Sequence, residues 1–203
     1  MNSVRVFYPS QQGFRRLQVA VAACFERHFG ANPRPEPDQF WCLAGCHGEA
    51  PGHGCVGLSW GGSAKLFSEH FLDLCVHESR MIPARQLVEI GQFASFSGAG
   101  AGTYLMSRVL RFLKMKQDRC AILTATYKVR CLLAALNVEF DDLGPARIER
   151  VRDKDVDWGT YYQHQPRVIL IDLQRGIDAM PKVTWAAPTE PRSERAPPLK
   201  RQK

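Results

Sequence analysis

The 203-residue chain lacks a long apolar segment. Its longest unbroken apolar run covers residues 19–25, far short of the roughly 20 residues that a membrane-spanning helix needs. The first residues also lack the apolar core of a secretory signal peptide. We therefore expect no stable membrane insertion. Seven cysteines without an export signal fit a reducing compartment, so the expected location is cytoplasmic.

Two nucleotide-binding motifs are missing as well. No lysine follows Gly102, as it would in a P-loop, and the glycines at 98, 100 and 102 do not have the G-x-G-x-x-G spacing of a dinucleotide-binding fold. The aromatic and basic strand motif of RNA-binding sheets is also lacking. The net charge of +7 includes +3 from residues 188–203, with five basic and two acidic residues. We therefore predict no nucleic-acid partner.

The end of the chain differs in composition from the rest. From residue 186 it is rich in proline and charge and shows no apolar period, so it cannot bury enough surface to offset its ordering entropy. We predict a single domain over residues 1–185 and a disordered, basic, proline-rich tail over residues 186–203. Such a tail could contact RNA, acidic lipid or an acidic protein, but a solvated tail is the more frequent case.

Hydrophobic periodicity predicts an alternation of strands and helices. Apolar residues spaced three and four apart predict an amphipathic helix over residues 11–29, and further helices follow over 103–116 and 128–136. Strands are predicted at residues 4–8, 40–44, 55–60, 86–95, 120–126, 138–140 and 167–173, and the second and third form a hairpin. Residues 64–74 fit either a strand or a helix. This order indicates the α/β class, with a mixed sheet flanked by helices.

The most informative stretch is the strand LVEIGQFAS, which runs into the glycine-rich sequence FSGAGAG and then into a helix. Gly98, Gly100 and Gly102 let the backbone turn tightly and approach a ligand, and the first helical turn offers N–H groups and a positive dipole end. This order predicts an anion cradle for a diphosphate beside the strand that carries Glu89. A flexible turn without a ligand is the alternative.

Four motifs resemble the thermostable hemolysin family. They are SEHFLD at residues 68–73, VEIGQFAS at 88–95, TAT at 124–126 followed by Arg130, and WGTYY at 158–162 followed by Pro166. The resemblance covers about residues 60–172. That family is similar in layout to acyltransferases of the GNAT superfamily and to acyl-homoserine-lactone synthases. The resemblance therefore implies a GNAT-like central mixed sheet flanked by helices.

The same resemblance implies a site for an acyl-thioester donor. The backbone of the strand at Phe93, Ala94 and Ser95 would contact the pantetheine arm. The loop with Gly98, Gly100 and Gly102 would hold the diphosphate or phosphopantetheine.

Acyl transfer to an amine needs a positioned thioester, a donor to its carbonyl oxygen and a base that takes the amine proton. Glu89 is the first candidate base, because it interrupts an apolar strand where partial desolvation would raise its pKa. Alternatively it faces solvent or pairs with an arginine. Glu69, in the SEHFLD motif, is the second candidate and could converge with Glu89, although a surface carboxylate is the more frequent arrangement.

Two further groups are candidates for contact with the donor. Tyr161, Tyr162 and His164 lie after the WG turn, where a phenol, above all that of Tyr162, could protonate the leaving thiolate, although a packed aromatic cluster is the more frequent arrangement here. Arg108, Arg111 and Lys114 recur every three residues and form a basic stripe along the helix after the glycine loop. Arg108 and its neighbours could meet a nucleotide phosphate or an acidic carrier protein. A solvated helix face is the alternative.

Cys42, Cys46, His53 and Cys55 have side chains that suit zinc, but their spacing matches no familiar zinc pattern. We predict no metal site and no permanently bound cofactor. The sequence predicts a GNAT-like N-acyltransferase that moves an acyl group from acyl-CoA or an acyl carrier protein, through its acyl-phosphopantetheine, to a small amine. The alternative is a non-enzymatic, haemolysin-like membrane effector whose basic tail and first helix contact anionic lipid.

Overall fold

A seven-stranded mixed sheet forms the centre of the molecule. The computed structural model describes residues 4–45, 50–62, 65–98, 100–151 and 155–186. Helices and short 3-10 turns connect the strands. The elements in chain order are β1 (Val4–Phe7), α1 (Gln12–Phe29), β2 (Gln39–Leu43), β3 (Gly54–Trp60), α2 (Val76–Ser79), β4 (Leu87–Ser95), α3 (Ala101–Met115), β5 (Cys120–Ala125), α4 (Tyr127–Ala135), β6 (Asp141–Pro145) and β7 (Arg167–Asp172).

The strands lie in the order β1-β2-β3-β4-β5-β7-β6, and all neighbours are antiparallel except β4 and β5. The parallel pair is joined by α3, as parallel strands need a crossover connection. Side chains alternate between the two faces of β2: Phe40 packs with α1, and Trp41 packs with α3. The two helices therefore cover opposite faces of the sheet.

The sheet splits in the middle. The ladder between β4 and β5 ends at the pair Glu89 and Ile122, although β4 continues to Ser95. Beyond that point β4 pairs only with β3, and there it carries one extra residue between Gly91 and Ala94, with Gln92 at a left-handed φ of 45°. A bulge of this kind bends a strand and raises its twist. The bulge and the lost ladder open a gap between β4 and β5.

The end of the described chain lies along α3. We call residues 178–186 the C-terminal strap. Lys114 donates to Asp178 at 2.5 Å, and Arg111 donates to the carbonyl oxygens of Met180 and Pro181 at 2.8 and 3.0 Å. The strap then reaches the first turn of α3, where Trp185 stacks on Tyr104 with ring centroids 6.2 Å apart.

Most of the predicted elements are present within one or two residues of their expected bounds, and the predicted hairpin is the antiparallel pair β2 and β3. The strand predicted at residues 138–140 was wrong, because those residues form an irregular segment and the strand follows as β6. Within residues 65–74 the structure has a 3-10 turn, Phe67–Phe71, and no long element. Residues 187–203 of the predicted tail lie outside the described residues.

Two observations bear on the membrane alternative. None of the described helices is long and apolar enough to cross a membrane. The apolar face of α1 is already occupied, because Phe14, Leu17 and Val21 are buried against the sheet. Those side chains are not available to lipid in this fold.

Candidate active site

A cavity of about 640 Å³ lies beside the gap between β4 and β5. Its volume falls in the range of small-molecule sites. The lining combines aromatic and aliphatic side chains with polar and charged ones, among them Arg34, Asp38 and Lys65. Representative lining residues are Phe25, Trp60, Phe67, Glu89, Thr124 and Tyr161.

Glu89 is the buried carboxylate of this cavity. It lies at the last position of β4 that pairs with β5 and is 8% exposed. Its Oε1 accepts hydrogen bonds from the backbone N–H of Ser68 at 2.8 Å and from the Ser68 hydroxyl at 2.5 Å, and its Oε2 accepts one from the N–H of Phe67 at 2.8 Å. Burial raises the pKa of Glu89, the three hydrogen bonds oppose that rise, and the nearby Glu69 charge adds to it. The carboxylate is therefore held in place and made more basic.

A second hydroxyl continues this network into the cavity wall. The Ser68 and Thr124 hydroxyl oxygens lie 2.9 Å apart. Ser68 is fully buried in the 3-10 turn, whereas Thr124 of β5 is half-buried and lines the cavity. The Thr124 carbonyl oxygen also accepts a hydrogen bond from the Tyr161 hydroxyl at 3.2 Å. Residues from three distant parts of the sequence therefore meet at the gap.

Glu69 has a different position from the one expected. The surface alternative was wrong, because Glu69 is only 2% exposed. It does not line the cavity: its Oε2 accepts from the N–H of Leu66 at 3.1 Å and its Oε1 accepts from the N–H of Val76 at 2.9 Å. The carboxylate ties the two ends of the loop that places Ser68 over Glu89.

Glu69, Cys75 and His77 also bring ligand atoms within 4.8 Å of one another. Carboxylate, thiolate and imidazole are all possible metal ligands. Both oxygens of Glu69 already accept backbone hydrogen bonds, however. That role accounts for the buried carboxylate without an ion.

The two neighbouring tyrosines have different surroundings. Tyr161 lines the cavity, and both burial and the nearby Glu89 charge raise its pKa, so the phenol keeps its proton. Tyr162 does not line the cavity; its ring packs 5.8 Å from Trp158 and 6.4 Å from Phe71, and its hydroxyl is buried with no hydrogen-bond partner among the described residues. Tyr162 therefore belongs to a packed aromatic cluster, and this position does not favour contact with a leaving thiolate.

The glycine loop leads into α3 as expected, although the helix begins at Ala101 and Ala99 lies outside the described residues. Gly100 has a φ of 88° and precedes the first helical residue. A Cβ at Gly102 would lie 2.9 Å from the ring of Phe93, so glycine lets the helix start approach β4. Phe93 is half-buried. Of the next two strand residues, Ala94 is buried and Ser95 is exposed.

Two of the three basic side chains in the stripe along α3 bind the C-terminal strap. Arg111 and Lys114 hold the C-terminal strap through the hydrogen bonds described above, whereas Arg108 is exposed on the same helix. Contact of Arg108 with a phosphate or a carrier protein stays a prediction. Trp185 of the strap lies next to the glycine loop, 3.2 Å from the position of a Cβ on Gly100.

Two cysteines of the possible zinc pattern, Cys42 and Cys55, are buried thiols. Cys42 and Cys55 are opposite one another on β2 and β3. Burial raises the pKa of Cys42 to about 12 and that of Cys55 well above its usual value. His53 pairs instead with the Ser97 hydroxyl, 2.9 Å from its Nδ1. Cys46 lies outside the described residues.

Sequence reasoning missed Ser68 and Thr124 as site residues, and it named Tyr161 only together with Tyr162 and His164. Hydroxyl side chains leave no periodic signal, and the contacts among these residues join positions 37 to 56 apart in the chain. A signal was present, since Ser68 lies in SEHFLD, Thr124 in TAT and Tyr161 in WGTYY. Three of the motifs that carried the family resemblance thus meet around Glu89 of the fourth.

Several solved structures share this fold. The acyl-homoserine-lactone synthase LasI is 14% identical, with a TM-score of 0.58 over 92% of this chain and 99% of that chain. FeeM, an N-acyl amino acid synthase from uncultured soil microbes, is 13% identical, with a TM-score of 0.56 over 88% and 99%. The CoA-dependent acyl-homoserine-lactone synthase BjaI, in a structure with MTA, is 11% identical, with a TM-score of 0.60 over 86% and 85%. At these identities the likeness concerns the fold, and it confirms the predicted GNAT-like mixed sheet.

Comparison with curated protein sequences gives no match. The family model described as thermostable hemolysin matches residues 7–177, which include the split sheet, the cavity wall and all four sequence motifs. The predicted family resemblance is thereby confirmed. The chain belongs to the thermostable hemolysin family.

Proposed function

We propose that this protein is an N-acyltransferase that moves an acyl group from an acyl thioester, carried by coenzyme A or an acyl carrier protein, to a small amine. The observation that carries the proposal is the position of Glu89. A buried carboxylate of raised pKa lies where β4 and β5 separate and lines a cavity of about 640 Å³. A general base works best when its pKa lies near the operating pH.

The gap gives the donor a place to bind. Beyond Glu89 the backbone of β4 has no ladder to β5, so its N–H and C=O groups on that side are open to an extended ligand such as a pantetheine arm. Gly100 and Gly102, at the start of α3, would hold the phosphate end, where helix N–H groups and the helix dipole favour an anion. The BjaI synthase, which has the same fold, was solved with SAM and isopentyl-CoA.

The cavity also suits the reacting groups. The aromatic and aliphatic part of its lining would take an acyl chain by burying apolar surface. The amine nitrogen would attack the thioester carbonyl carbon, the carbon–sulfur bond would break, and the amine proton would pass towards Glu89. The products are an amide and a free thiol. FeeM, of the same fold, is an N-acyl amino acid synthase, which supports an amine acceptor.

The test is a turnover assay on the purified chain with octanoyl-CoA and octanoyl-loaded acyl carrier protein as donors. Pools of primary amines, which include amino acids and S-adenosylmethionine, serve as acceptors. Thiol release and the mass of the amide product are measured. Glu89→Gln should lower kcat about 10²- to 10⁴-fold, as expected for loss of a general base. The matched control is Glu78→Gln, because the Glu78 side chain is 62% exposed on α2.

Binding of the donor is measured separately. A ligand that binds only the folded state raises the melting temperature by mass action, so coenzyme A or its acyl esters should raise it. The proposal is contradicted if no thioester shifts the melting temperature and no donor releases thiol with any amine pool. It is also contradicted if Glu89→Gln retains full turnover.

A further inference from the structure

The hydroxyls of Ser68 and Thr124 connect Glu89 to a second position on the cavity wall and have no assigned role. We propose that Thr124 and Ser68 form a proton relay that carries the amine proton to Glu89. In this arrangement Thr124 is a catalytic residue that contacts the amine, and Ser68 is a positioning residue that acts through Glu89. The inference deepens the proposed function and rests on it.

The number of available protons sets the direction of the hydrogen bonds from Thr124 through Ser68 to Glu89. A serine hydroxyl has one proton to donate. The ionised Glu89 can only accept, so the Ser68 proton points to its Oε1 at 2.5 Å. The Ser68 oxygen must then be the acceptor in its 2.9 Å contact with the Thr124 hydroxyl. The Thr124 hydroxyl therefore donates its only proton to Ser68, and its oxygen keeps a lone pair that can accept a hydrogen bond from a donor in the cavity.

Access favours this route over direct transfer to Oε1. Both hydrogen bonds that Ser68 donates end on that oxygen, one from its backbone and one from its hydroxyl. Two bonds fill the lone pairs of a carboxylate oxygen. Oε2 accepts one hydrogen bond, from Phe67, and keeps one lone pair. The relay and direct transfer to Oε2 are thus the two routes to distinguish.

The transfer balances as follows. The amine nitrogen forms a bond to the acyl carbon and gives up a proton to the Thr124 oxygen, Thr124 gives its proton to Ser68, and Ser68 gives its proton to Glu89. The carbon–sulfur bonding pair leaves with the thiolate, which takes a proton from water. Glu89 then returns its proton to solvent, and the two hydroxyls regain their starting orientation.

The matched variants are Thr124→Val, which keeps the shape of the side chain and removes the hydroxyl, and Thr124→Ser, which keeps the hydroxyl. Turnover is measured with octanoyl-CoA and the primary-amine pools. We expect Thr124→Val to lower kcat about 100-fold or more with an unchanged KM for octanoyl-CoA, and Thr124→Ser to stay within about tenfold of the unmodified chain. Melting curves check that each variant folds.

A second readout does not depend on turnover. The pKa of Glu89 is followed by NMR of the labelled carboxyl carbon. Ser68→Ala removes a hydrogen bond to the charged form, so it should raise that pKa, whereas Thr124→Val should raise it less. The titratable groups that interact electrostatically with Glu89 are Glu69 on the 3-10 turn and Tyr161, whose hydroxyl donates to the Thr124 carbonyl, and neither is altered in these variants.

Each outcome is decisive. The relay is overturned if Thr124→Val turns over like the unmodified chain, which would send the proton directly to Oε2. It is also overturned if Thr124→Ser is as slow as Thr124→Val, since the hydroxyl would then be irrelevant, or if Ser68→Ala leaves the Glu89 pKa unchanged. Failure of the proposed function itself looks different: the unmodified chain would show no turnover, while the NMR titration would still report on the hydrogen bonds.

Discussion

Replacing Glu69 by alanine tests whether this carboxylate is a structural tie. The change would leave the N–H groups of Leu66 and Val76 without their acceptors. Both residues are buried, and a buried unsatisfied donor costs about 1–3 kcal/mol. Burial of the carboxylate has its own desolvation cost, which offsets part of the loss. We expect the free energy of unfolding to fall by about 2–4 kcal/mol.

The assay is urea unfolding together with the melting temperature. For a chain of this length the loss corresponds to a fall of about 4–16 °C. Glu69→Gln should lie between alanine and the unmodified chain, because its amide keeps one of the two acceptor oxygens. Glu78→Ala, at an exposed position on α2, should change stability by no more than about 0.5 kcal/mol. If Glu69→Ala has the same melting temperature as the unmodified chain, the two N–H groups find other partners and the structural argument fails.

Three further predictions concern reactivity, pH and the strap. Cys131 is exposed and should react with a disulfide reagent in the native protein, whereas Cys42, with its pKa raised to about 12, should react only on unfolding; equal rates would contradict this. The pKa of Glu89 is raised on folding, so between its unfolded-state and folded-state pKa the folded protein binds more protons than the unfolded chain. The free energy of unfolding should therefore fall as the pH rises from the first pKa through the second. In urea titrations Glu89→Gln should lack this pH dependence. Arg111→Ala removes two hydrogen bonds to strap carbonyls, so trypsin should cleave after Lys182 faster, as followed by mass spectrometry; an unchanged rate would show that these two hydrogen bonds do not hold the strap in place.

The order of strands and helices could be predicted from the sequence because each central element buries a patterned face. The error at the edge of the sheet has a physical cause. Residues 138–140 are more apolar than β6, which pairs only with β7 and carries Asp141, Asp142 and Pro145. An edge strand tolerates proline and charge, so hydrophobicity points to the wrong segment. The apolar Val138 is instead buried in the core outside any strand.

The candidate site could be predicted only in part. Glu89 stands out because a carboxylate in an apolar strand is unusual, and its burial bears out the expected desolvation. Glu69 also stands out, but sequence cannot tell a carboxylate that faces a cavity from one that accepts backbone hydrogen bonds. Likewise, neighbouring Tyr161 and Tyr162 differ only in which way a single 3-10 turn directs them. These distinctions depend on tertiary placement.

The C-terminal strap sets a lower limit on how far the chain can be shortened. The family match ends at residue 177, whereas Met180 is buried in the core and Val183 and Trp185 pack against it. A truncation at the family boundary would uncover these contacts along α3 and remove the partner of Tyr104 beside the glycine loop. Expression trials and crystallisation of this chain should therefore retain at least residues 178–186, which lie beyond the end of the family match.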